Sequence, residues 1–138
     1  MKHTIILFVM AAISATLWAN EVPKQFSVEQ AELLARTAAQ GVGTTKLKGF
    51  SLERAQLDQF PEFYFFDALV SEPGAEGFSG HYAVNKFTGE VWDPYRCLRF
   101  SDAHLLKVQR QMRKEIGLSA QGLRQRRKDE PPCLAGEH

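Results

Sequence analysis

The stretch from His81 to Cys97, HYAVNKFTGEVWDPYRC, sets an alternating apolar run against a Thr88-Gly89 turn, a second short apolar run and a cysteine. Tyr82, Val84 and Lys86 alternate with Ala83, Asn85 and Phe87, the period-two pattern of a half-buried strand. Thr88-Gly89 reverses the chain into Glu90-Val91-Trp92-Asp93, so the stretch reads as the closing hairpin of an antiparallel sheet.

Working outward, the long Gly-containing turn SEPGAEGFSG (71–80) is preceded by FYFFDALVSE (63–72), an aromatic and β-branched strand segment. Before it, KLKGFSLERAQLDQFPEF (46–63) is ambiguous. Leu47, Phe50 and Leu52 suit a strand, whereas Leu52, Ala55 and Gln56 could stripe a helix. Phe60-Pro61 breaks any helix there and favours the strand. FSVEQAELLARTAAQGVG (26–43) is the clearest helix: Ser27 and Gln30 form a capping box, Val28, Ala31, Leu34, Ala35 and Ala38 recur at helical spacing, and Gly41 marks the stop. After the hairpin, SDAHLLKVQRQMRKEIG (101–117) starts at a Ser101 or Asp102 cap. It carries Leu105, Val108, Met112 and Ile116 on one stripe, and Gly117 ends it. Residues 119–138 are basic and contain Pro131-Pro132, and read as a mobile tail.

The expectation is an α+β domain over residues 20–118. Its N-terminal helix packs on a curved antiparallel meander of three to four strands, and an amphipathic basic helix follows.

The first residues, MKHTIILFVMAAISATLWANE, join Lys2 to an apolar run from Ile5 to Ile13 and small residues near Ala19. This is the pattern of a signal peptide, with cleavage after Ala19 or after Thr16, and the run is too short to span a membrane. The mature chain is therefore expected in a bacterial periplasm or secreted, with no stable membrane anchor. Two cysteines in an exported chain allow one internal bridge, Cys97 to Cys133.

Composition and motifs argue against several functions. Without Lys2 the chain has 16 basic and 16 acidic residues, so no global charge points to nucleic acid. The run Lys107–Lys128 holds eight basic residues and no aromatics, which suits a solvated helix face better than a nucleic-acid surface. GFSGH (77–81) misses the second glycine of a nucleophile elbow, and the Ser, Asp and His of SDAH (101–104) sit together at a helix start, where a cap explains them. The histidines at 3, 81, 104 and 138 are scattered, and Glu90 and Asp93 would point to opposite strand faces. No catalytic group, metal or cofactor is expected. Aromatics are abundant from Phe60 to Tyr95, more than a helix of Ala and Leu can cover. Trp, Tyr and Arg are frequent interface anchors, so Trp92, Tyr95, Arg96 and Tyr82 are the expected partner contacts.

The order helix, strand, strand, strand, with AELLA (31–35) in the helix and YAVNKFTGEVW (82–92) near the end, resembles PepSY-like domains. It equally resembles small exported immunity proteins with cystatin-like or nuclear-transport-factor-like curved sheets. The likeness covers Ser27 to Asp93. The added Cys97 segment and basic helix depart from a minimal PepSY unit and look more like an inhibitor built for the envelope. The resemblance implies a non-enzymatic binding protein whose sheet face or hairpin tip blocks a protein partner, a toxin or a protease. The alternative it implies is a structural or chaperone-like envelope module.

Overall fold

Helix α1 spans Val28–Gly41, and its first turn is closed as the sequence predicts: Ser27 Oγ accepts the Gln30 N–H, and Gln30 Oε1 accepts the Ser27 N–H. Its buried face is Ala31, Leu34, Ala35, Thr37, Ala38 and Ala39, small residues that let the helix axis approach the sheet closely. The helix runs one residue past the expected stop, through Gly41, and Gly43 at φ +82° turns the chain away. The computed structural model describes residues 23–74, 77–127 and 132–134, so the expected signal peptide (1–19) lies outside the described residues.

A five-stranded antiparallel sheet follows in sequential order: β1 Ser51–Ala55, β2 Phe63–Val70, β3 Gly77–Asn85, β4 Val91–Asp93 and β5 Leu98–Arg99. The ambiguous segment before Pro61 is thus a strand, and the meander gains a two-residue fifth strand beyond the expected four. Helix α2 is Ala103–Glu115, with Asp102 as its cap.

Cross-strand register sorts the side chains. Arg54, Phe66 and Tyr82 form one row, and Tyr64, Val84 and Val91 another, on the face that carries the helices. Phe26, Leu34, Phe66, Tyr82, Val84, Val91 and Leu105 fill that main core. The outer face carries Glu53, Asp67 and His81 in one row and Ala55, Phe65, Ala83, Trp92 and Arg99 in the next. Phe63, Phe65 and Ala83 are buried there beneath Leu57, Phe60 and Trp92 as a second, smaller cluster. The aromatics of the sheet are thus divided between its two faces.

The 87–90 turn is not the free tip that the sequence suggests. Asn85 Oδ1 accepts the N–H groups of Phe87 and Thr88, and Thr88 Oγ1 accepts that of Glu90. The outward carbonyls are taken by the helices: Gln109 Nε2 donates to Gly89 O (2.9 Å) and Arg113 Nε donates to Thr88 O (2.7 Å). A short helix α3, Ala120–Arg126, occupies part of the segment read as a mobile tail, and Arg126 donates to Lys24 O (2.9 Å) and Phe87 O (3.4 Å). Buried Glu90 accepts from Arg99 (2.8 Å) and Arg127 (2.9 Å). Gly89 has φ +66°, and a Cβ there would sit 2.8 Å from Phe26 Cζ, so only glycine lets the turn seat against the core. The hairpin end is an internal anchor because burying its carbonyls without these donors would cost about 1–3 kcal/mol each.

The helices thus use part of the basic run internally. Burial pushes the Arg113 guanidinium below its usual range while the Glu90 carboxylate opposes the shift. Lys107, Arg110 and Lys114 stay on the exposed side of α2, as a solvated face requires.

Candidate functional site: the outer sheet face

The exposed part of the outer face is built by one irregularity. Between Ala68 and Leu69 the β2–β3 register shifts, pairing Ala68 with Gly80 but Leu69 with Phe78, so Ser79 bulges out of the ladder. Strict alternation from Tyr82 would turn Phe78 toward the helices. The bulge re-aims it to the outer face, where it is 66% exposed and stacks on His81 at 5.5 Å between ring centroids.

His81 is held from three sides. Its Nδ1 lies 2.7 Å from Asp67 Oδ1, directly across the ladder, and the Tyr95 ring lies 4.5 Å away on the side opposite β2. Tyr95 is placed by the turn after β4: Asp93 Oδ1 accepts the N–H groups of Tyr95 and Arg96 (3.0 Å each), and Cys97 closes the turn at φ +54°. Pro94 inside this turn is buried.

The expected disulfide is present, Cys97 to Cys133, with 5.1 Å between Cα atoms. It carries the chain back across the sheet: Pro132 is buried and the Leu134 N–H donates to Pro94 O (2.7 Å). Leu134 then lines a groove of about 380 Å³ together with Leu57, Phe65, Asp67, Phe78, His81 and Tyr95. A neighbouring hollow of about 330 Å³ shares Phe78, His81 and Tyr95 and reaches Asp93 and Arg96.

Of the four expected contact residues, the structure brings three to this surface. Tyr95 is 53% exposed, Arg96 projects at the rim beside Asp93 (3.8 Å), and Trp92 is half-buried over Phe63 and Phe65. Tyr82 is corrected: it is 2% exposed, packed beside Phe66 and stacked on Phe100 at 5.3 Å, because its parity places it on the helix side. That burial raises its phenol above the ordinary range, with a Thr44 hydrogen bond opposing the shift. It belongs to the main core cluster and also lines both hollows.

Sequence reasoning missed Phe78, the Asp67–His81 pair and Leu134. One signal was present, the carboxylate of Asp67 inside the otherwise apolar FYFFDALV, which needs a polar partner or an open face. Among the described residues no group of three or more metal-binding side chains comes together. Ser79 Oγ donates to Ala68 O (3.4 Å), and Ser101 stands outside the lining of both hollows.

No family model matches the chain, and no curated protein matches it. The expected PepSY-like and cystatin-like memberships therefore gain no support. Among solved structures the chain is similar to one described as a type VI secretion system effector-immunity complex from Pseudomonas protegens. The TM-score is 0.60 at 23% identity, over 75% of this chain and 88% of that one. At that identity the likeness establishes a shared fold.

Proposed function

We propose that this chain is an exported, non-enzymatic binding protein that neutralises a protein toxin by covering it with the outer sheet face. The observation that carries the reading is the asymmetry of the sheet. One face is sealed by α1 and α2, while the other presents Phe78, Tyr95 and His81 around open grooves and half-buried Trp92 over Phe63 and Phe65. Exposed aromatics held on rigid strands and a bridged turn are the side chains that anchor protein interfaces at low entropic cost. The shared fold with a chain of an effector-immunity complex supports a toxin as the partner in place of a protease. The export pattern of the first nineteen residues supports action in the envelope.

The test is co-expression with the toxin candidate encoded beside this chain. The expected result is growth rescue, an equimolar complex on gel filtration, and loss of both in a Phe78→Ala, Tyr95→Ala double variant that still folds. Rescue undiminished in that variant refutes the outer face as the contact surface.

A further inference from the structure

The groove on the outer face has a chemical polarity that selects what can enter it. Its walls are apolar, formed by Leu57, Phe65, Phe78 and Leu134, while Asp67 and His81 supply its polar floor. His81 Nδ1 lies 2.7 Å from Asp67 Oδ1, which leaves the second carboxylate oxygen of Asp67 as an acceptor at the groove. Exposed Glu53, directly opposite Asp67 in the register, adds a second carboxylate to the same row. Like charges facing each other across strands are unfavourable, and a cation arriving between them relieves the repulsion. Phe78 and Tyr95 flank the site, and aromatic faces attract a cation as well.

Resting on the proposed binding role of this face, we infer that the groove receives an arginine side chain of the partner. Its guanidinium reaches the Asp67 carboxylate, with Glu53 opposite on the same row, and its aliphatic stem lies between Phe78 and Leu134. Arginine fits better than lysine because a planar fork of donors can engage a carboxylate and stack on an aromatic ring at once. Leu134 stands in this wall because the Cys97–Cys133 bridge and its own N–H bond to Pro94 hold it there.

The experiment uses the full mature chain labelled with ¹⁵N and three capped peptides, Ala-Leu-X-Leu-Ala, where X is arginine, its neutral isostere citrulline, or glutamate. Amide shifts report the site and the affinity. The expected result is that the arginine peptide shifts the amides of Asp67, Phe78, His81 and Leu134 and binds about tenfold more tightly than the citrulline peptide. Asp67→Asn removes the advantage while citrulline affinity is unchanged, and that unchanged affinity shows that the variant folds. Should Asp67→Asn misfold, Glu53→Gln at the exposed position opposite tests the same row, and an arginine advantage left undiminished by it overturns the inference. Equal binding of arginine and citrulline peptides, preference for glutamate, or shifts confined to α1 and α2 each overturn the inference as well. Any of these outcomes alongside loss of rescue in the Phe78→Ala, Tyr95→Ala variant removes the arginine and leaves the contact face in place.

Discussion

Replacing Gly89 with alanine measures how firmly the closing turn is seated on the core. Two costs combine there. The backbone sits at φ +66°, where an L side chain costs about 1–2 kcal/mol. An added Cβ would lie 2.8 Å from Phe26 Cζ and 3.2 Å from Leu34 Cδ1, both in the buried core, and such overpacking costs about 1–3 kcal/mol. Alanine restricts the unfolded chain and returns about 0.4–1 kcal/mol. The expected net loss is about 2–4 kcal/mol. Gly43→Ala is the matched control: φ is +82°, but nothing lies within 4 Å of its Cβ position, so only the backbone cost applies, about 1 kcal/mol net. Urea unfolding followed by Trp92 fluorescence and far-ultraviolet circular dichroism gives both numbers, and their difference isolates the packing contribution. Equal losses at the two positions would show that the turn does not press on Phe26 and Leu34, and the hairpin end would then not be an internal anchor.

Tyr95→Ala and Phe78→Ala should each weaken a captured partner by more than about 1 kcal/mol while changing stability by less than about 0.5 kcal/mol, since both rings are largely exposed; calorimetric titration and thermal melts check the pair. Loss of the bridge in a Cys97→Ser, Cys133→Ser variant should cost about 4 kcal/mol by the chain-entropy relation for a separation of 36 residues, and faster hydrogen exchange at the Leu134 amide should accompany it. Tyr82 is the alkaline-sensitive group. Its folded value is raised by burial, so its stabilising contribution is complete below the unfolded value of about 10 and is lost as pH rises through the folded one. Tyr82→Phe should flatten the decline of the urea midpoint above about pH 10, and an unchanged slope would contradict the buried phenol.

Much of the architecture is legible in the sequence because local rules and global packing agree. Ser27 and Gln30 announce the first helix, Phe60-Pro61 rules out a helix before β2, and the parity of Tyr82 to Phe87 gives β3 its two faces. What alternation cannot show is the register slip at Ser79, since a bulge moves Phe78 across the sheet without altering its sequence neighbours. Residue type alone suggests an interface for Tyr82, whereas its cross-strand partner, Phe66, places it in the core. Leu134 is invisible for another reason. Its place depends on a covalent link and a single backbone hydrogen bond to Pro94, far earlier in the chain, and nothing local encodes that contact.

The grip of the helices on the 87–90 turn also dictates an order of assembly. Gln109, Arg113 and Arg126 supply the donors for that turn, and all three lie in the last third of the chain. Until those residues emerge from the ribosome, the carbonyls of that turn lack their donors and the end of the sheet is incomplete. A hairpin whose end is completed only by the helices that follow it suits the export proposed above.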